Sequence, residues 1–267
     1  MSLKTIDILP TAQAAEGYDM SSSVAVVIDV LRATSVITRA LDNGAAAVAP
    51  VLSPEEGLSM ADKLGRENVI LGGERNADII PGFDLGNSPQ DYTPERVGGK
   101  TVVMTTTNGT LAIRNSAGAR AVVIASMLNY ERAAKRAYTL CEALACDKIV
   151  FVCSGNYGQM TIEDCFCAAI VADCVIALAD GSSEFDILGL FGKRDVSKEI
   201  SFANDQSAMI HDLARLRAPE GQDLFPLSAH YQRLSQKGYD ADIAECLEHP
   251  AAIRTVPVLS ADGLLRL

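Results

Sequence analysis

VVIDVLRATSVI, residues 26–37, changes character midway. Its first half is a β-branched apolar run that reads as a buried strand, and its second half reads as the start of a helix. Between them lies the polar turn DVLRAT (29–34). VVMTTTNGTLAI (102–113) has the same form, and four of its twelve positions match the first stretch at a constant offset of 76. Each is followed by a strand of small residues, AAAVAPV (45–51) in one case and RAVVIAS (120–126) in the other. The two stretches point to an internal duplication of a strand–turn–helix unit.

Working outward, the alternation continues. SPEEGLSMADKLG (53–65) is a helix opened by Ser53 as N-cap and Pro54 at the first position, and NVILGG (68–73) is a strand. Helices are expected over 129–144 and 161–180, with the strand KIVFVCSG (148–155) between them. GSSEFDILGLFGKRD (181–195) is loop-like, 204–218 and 229–248 look helical, the latter interrupted at Gly238, and 254–259 is a short strand. The expected class is α/β, a three-layer α/β/α arrangement on a largely parallel or mixed sheet. No linker marks a boundary, so residues 1–267 are expected as a single domain, in which the duplication could form two intimately packed lobes.

Composition narrows the function. The 267 residues carry a net charge of −11 and no block of lysine or arginine, which argues against nucleic acid as a partner. No run of apolar residues is long enough for a membrane span, and MSLKTIDILP lacks a signal-peptide core, so a cytoplasmic protein is expected. The seven cysteines include no CxxC pair and read as buried free thiols. Walker, GxGxxG and GxSxG motifs are missing, and the three histidines show no HExxH spacing.

In sheets of this kind ligands bind beyond the carboxyl ends of the strands. That rule selects Asp29, Arg32 and Thr34; the loop GGERNADIIPGFDLGNSP (72–89) with Glu74, Arg75 and Asn76; TTTNGT (105–110) with Thr107, Asn108, Gly109 and Thr110; and SGNYGQMTIED (154–164) with Gly155 and Asp164. A carboxylate, a guanidinium and hydroxyls at a strand-to-helix turn are parts that phosphoryl chemistry uses. The same Asp29 and Arg32 would equally make an ion pair capping the helix. Constrained polar loops of the 72–89 kind more often bind than merely connect.

Taken in order and spacing, VVIDVLRATSVI, GGERNADIIPGFDLGNSP, TTTNGT and CSGNYGQMTIEDCFCA resemble the 2-phosphosulfolactate phosphatase family, as does LSAHYQRLSQKGYDADIAECLE near the C-terminus. The resemblance spans about residues 5–260. It implies an α/β, Mg²⁺-dependent phosphoric monoester hydrolase that converts 2-phospho-3-sulfolactate to 3-sulfolactate, a step toward coenzyme M in some archaea. On this reading Asp29, Glu74 and Asp164 hold Mg²⁺, Arg32 and the amides of 108–110 bind phosphate oxygens, and Arg75 takes the sulfonate or carboxylate. Thr34, Asn76, Thr107 and Gly155 complete the substrate site. Attack by Asp29 and attack by water activated at the metal both remain open. The chain departs from the family where it has His230-Tyr231 in place of a histidine–glycine pair, and Ala77 where glycine is frequent. The alternatives are a phosphatase for another small phosphorylated acid and a non-catalytic anion-binding protein. A homodimer is expected.

Overall fold

The structure, a computed structural model, describes residues 3–182, 200–217, 221–248 and 253–267. The sequence reading at 183–195 therefore lies outside the described residues. Parallel strands form two blocks. The first contains β1 (Thr5–Leu9), β2 (Ser23–Ile28), β7 (Ala121–Ala125) and β8 (Lys148–Cys153), with the short β9 (Ser201–Phe202) at its edge; the second contains β3 (Ala47–Pro50), β4 (Val69–Arg75) and β6 (Thr101–Thr105). A C-terminal hairpin, β10 (Val258–Leu259) and β11 (Leu265–Arg266), pairs antiparallel with β7 on one side and β3 on the other. With β5 (Asp78–Ile79) antiparallel to β4, the result is one mixed sheet of 11 strands in the order β5-β4-β6-β3-β11-β10-β7-β2-β8-β1-β9.

Strand alternation builds the layers. Val24, Val26 and Ile28 of β2 face a core shared with α5 (Tyr130–Ala143) and α6 (Ile162–Ala179), whereas Ala25 and Val27 face a second core with α1 (Ala33–Asp42) and α4 (Gly109–Asn115). A smaller core lies under α2 (Pro54–Leu64), where Ser53 caps the helix by accepting from the Glu56 amide. This is the expected α/β layering. The α6 helix is apolar almost all round, and Glu163 to Ala177 are buried along its whole length, so it reads as an internal helix. All seven cysteines are free and buried.

The suspected repeat has a structural counterpart. β2–α1–β3 starts in the first block and ends in the second, and β6–α4–β7 makes the reverse passage, so β2 pairs with β7 as β6 pairs with β3. The two turns that follow β2 and β6 also share a lock. The Thr34 hydroxyl accepts from the Asp29 amide (3.0 Å) and donates to the Asp29 carbonyl (2.8 Å). The Thr110 hydroxyl does the same for Thr106 (3.3 and 3.1 Å). Thr34 and Thr110 are 76 apart, but Asp29 and Thr106 are 77 apart, so the first turn is one residue longer.

Candidate active site

The two locked turns pack face to face. Gly109 makes this possible, because a Cβ there would stand 2.5 Å from the Ala33 Cβ and 2.7 Å from Asp29 Oδ2. Beside them, Gly73 lets β4 close on β6: its φ is +140° and a Cβ would meet the Thr105 carbonyl oxygen at 1.9 Å. An open cleft results. Asp29, Arg32, Glu74, Thr107 and Asn108 line it from three strand ends, as the sequence reading expected them to meet.

Each acidic group has a distinct setting. Asp29 Oδ1 accepts from the Ala33 amide at 3.1 Å. Burial pushes its carboxyl up to about 6; the Ala33 amide and the Ser154 hydroxyl oppose the rise, Glu74 adds to it and Arg32 opposes it. Glu74 joins two loops, accepting from the Ala77 amide (2.7 Å) and the Thr107 amide (2.7 Å). Asp164 does likewise, accepting from Val30 (2.8 Å) and Gly155 (3.0 Å), and burial with repulsion from Asp29 and Glu163 holds its carboxyl well above the ordinary range. Glu163 is fully buried, and burial raises it to about 7; no donor meets either of its oxygens at hydrogen-bond geometry, though the Ser228 hydroxyl is near enough to temper the rise.

The loop 72–89 earns its constraint. It turns back as a hairpin in which Asn76 (φ 56°) and Ala77 (φ 70°) are both left-handed, the conformation in which glycine is least strained. The Ala77 carbonyl accepts from Arg32 and from the Tyr239 hydroxyl (2.9 Å). Farther on, Asp84 accepts from the Leu71 amide and Asn87 reaches the cleft wall.

Several expected site residues serve the framework instead. Arg75 donates to the carbonyls of Glu74 and Leu52 and to Thr105 Oγ1 (2.9 Å), and it is not in the cleft wall. Thr34 and Thr110 are engaged in the two hydroxyl locks, and the Gly155 amide donates to Asp164. Exposed Asn76 accepts from the Tyr157 hydroxyl through Oδ1 and from Lys237 through its carbonyl. Arg32 is not paired with Asp29; its guanidinium is buried against Asp242 and lies 4.2 Å from the Tyr239 ring centroid.

Four residues of the site escaped the sequence reading. Helix α8 (Ala229–Gln236) places His230 and Arg233 in the wall, and α9 (Asp240–Leu247) supplies Asp242, which also accepts from the Ser88 hydroxyl (2.7 Å). Asn87 is the fourth. His230 Nε2 is 2.7 Å from the Leu31 carbonyl, which can only accept, so that nitrogen carries the proton. Burial pulls the His230 pKa down and favours the neutral ring. The signal in the sequence was LSAHYQRLSQKGYDADIAECLE, which reads as helical and carries part of the family resemblance, but none of its residues was assigned to the site.

Among the described residues no three His, Cys, Asp or Glu side chains form a metal-binding group. Mg²⁺ asks for less, since it is usually held by one or two carboxylates together with phosphate oxygens and water. Asp29 and Glu74 meet that requirement at the cleft wall, where their mutual repulsion favours a cation between them.

A family model described as 2-phosphosulpholactate phosphatase matches residues 9–262. The chain belongs to the 2-phosphosulfolactate phosphatase family. It is accordingly an enzyme of the phosphoric monoester hydrolase class. Relatives named "Probable 2-phosphosulfolactate phosphatase" include one from Clostridium botulinum (strain Alaska E43 / Type E3), 32% identical over 98% of this chain and 99% of its own. One from Symbiobacterium thermophilum is 38% identical over 86% of this chain and 88% of its own. One from Clostridium acetobutylicum is 44% identical over 64% and 70% respectively. The match to the phosphatase family runs through every segment that lines the cleft.

Proposed function

We propose that the chain hydrolyses the phosphate ester of 2-phospho-3-sulfolactate, giving 3-sulfolactate and phosphate, and that it depends on Mg²⁺. One observation carries the reading: Asp29, Arg32, Glu74, Thr107 and Asn108 arrive from three strand ends and line one cleft. The printed names of the relatives support the substrate.

Asp29 and Glu74 would hold the metal, which supplies charge neutralisation at the phosphoryl oxygens. The Asn108 and Gly109 amides, which have no acceptor among the described residues, and the buried Thr107 hydroxyl, which has no partner, orient the phosphate. Buried Arg32, held in place by its ion pair with Asp242, lines the cleft beside Asp29. Ionised Asp29 is able to accept a proton from the incoming nucleophile or to act as the nucleophile itself, and a cation beside it favours the ionised form over the metal-free value of about 6. Asp164 positions the turn through the Val30 amide.

The test is phosphate release from 2-phosphosulfolactate with Mg²⁺, and again after EDTA. Release that stops on chelation and returns with Mg²⁺ is the expected result. Release from no phosphate ester under any condition would leave the anion-receptor alternative standing, and equal rates on unrelated phosphorylated acids would remove the narrower substrate.

The same reading includes a cytoplasmic homodimer. Among the described residues no helix is long and apolar enough to cross a membrane. Helix α7 (Asp205–Arg217) exposes Met209, Leu213 and Leu216 at helical spacing, an apolar face that a second copy would cover. Light scattering reads the oligomeric state directly.

A further inference from the structure

The substrate of the proposed reaction carries two oxyanions besides its phosphate. The sequence assigned Arg75 to one of them, and the structure places Arg75 outside the cleft wall on three protein acceptors. Two cations do line the cleft, Arg32 and Arg233. Arg32 is buried and neutralised by Asp242. Arg233 has no carboxylate partner among the described residues. Its guanidinium carbon lies 5.0 Å from the centroid of the Tyr157 ring, a contact that consumes no hydrogen-bond donor. Its Nε has no acceptor among the described residues.

A second side chain in the same wall is also unanswered. Asn87 is 5% exposed and its Oδ1 has no hydrogen-bond partner. That oxygen is an acceptor, so the partner it lacks is a donor and not an oxyanion, and the anion falls to Arg233. Arg233 enters from the α8 side, close to Tyr157, whereas Thr107 and Asn108 enter from the turn before α4.

We propose that Arg233 binds the substrate's second oxyanion and so sets the preference for an ester that carries one. This rests on the phosphatase reading above. A planar fork pairs two donors with two oxygens of a carboxylate or sulfonate, and a lysine cannot reproduce that geometry.

A matched series tests it: 2-phosphosulfolactate, phospholactate, which lacks the sulfonate, and ethyl phosphate, which lacks both extra anions. Arg233→Gln is expected to raise KM for phosphosulfolactate by roughly a hundredfold, the scale of one lost charge-assisted contact. Its kcat/KM for ethyl phosphate should stay within about threefold of the parent enzyme, and Arg233→Lys should recover only part of the loss. A loss on phospholactate as large as on phosphosulfolactate identifies the carboxylate as the bound group; a loss confined to phosphosulfolactate identifies the sulfonate. Equal losses on all three esters would mean that Arg233 holds the phosphate, and no loss on any would mean that it holds nothing; either overturns the proposal. Calorimetric binding of 3-sulfolactate against inorganic phosphate, with the parent protein and Arg233→Gln, makes the same comparison without turnover. A parent protein that hydrolyses no ester therefore sinks the function and still leaves this inference answerable. Melting curves are the control that both variants fold.

Discussion

The turns after β2 and β6 are built alike and do different work. Each is closed by a threonine hydroxyl that accepts from and donates to the residue at the start of the turn. In each, the side chain of that first residue accepts from an amide four residues on: Asp29 from Ala33 at 3.1 Å, Thr106 from Thr110 at 3.2 Å. In one turn the acceptor is a buried carboxylate raised to about 6, and in the other it is a neutral hydroxyl. The longer turn also carries Arg32. The pair shows how a repeated scaffold divides labour: the lock is common, and the side chain set in it decides whether the turn supplies charge or donors.

Substitutions break this contrast to different depths. Asp29→Asn keeps the shape of the charged turn and makes it as neutral as its counterpart. We expect kcat to fall by about 10³-fold or more, the scale seen when a group acting on the transition state is removed. The parent enzyme should lose activity on the acid side, because only the ionised carboxylate serves, and Mg²⁺ beside Asp29 should move that limb below the metal-free value of about 6. An Asp29→Asn enzyme within tenfold of the parent would mean that the two turns are chemically equivalent after all.

Gly109→Ala attacks the contact between the turns. Its methyl would overlap the Ala33 Cβ and Asp29 Oδ2, so we expect a stability loss of about 1–3 kcal/mol and roughly a tenfold or larger fall in kcat/KM. Unchanged melting and kinetics would show that the turns can separate without consequence.

The locks themselves give the smallest effects. Thr34→Val and Thr110→Val each strand one buried amide, at a cost of about 1–3 kcal/mol. Urea unfolding should place the two close together, because the hydrogen bonds are the same. A large difference between them would mean that the structural likeness is not an energetic one.

Much of this was legible in the chain. Most strands and helices between residues 24 and 180 announce themselves by period and caps, although β1 (Thr5–Leu9), paired with β8, was not expected, and the offset of 76 between the two turns survives folding in Thr34 and Thr110. Asp29 and Glu74 could be picked out as polar residues at strand ends. Arg75 could not be placed, because neighbours along a strand point to opposite faces: Glu74 inward to the cleft, Arg75 away from it to Leu52 and Thr105. The C-terminal hairpin was half seen. Residues 254–259 were expected as a strand, but the pairing of Val258–Leu259 with Leu265–Arg266, and their insertion between β7 and β3, were not.

What the chain determined by itself is local: where it alternates, where it turns, and which turns hold groups capable of phosphoryl chemistry. Those features follow from hydrophobic period and turn residues that lie within a dozen positions of one another. Only the tertiary structure decided which groups share a cleft. Asp242 reaches Arg32 across 210 positions, and Arg233 and His230 come to the same wall from a helix almost as distant. Such partners carry no local signature, because long-range packing and charge pairing bring them together while their sequence neighbours are engaged elsewhere.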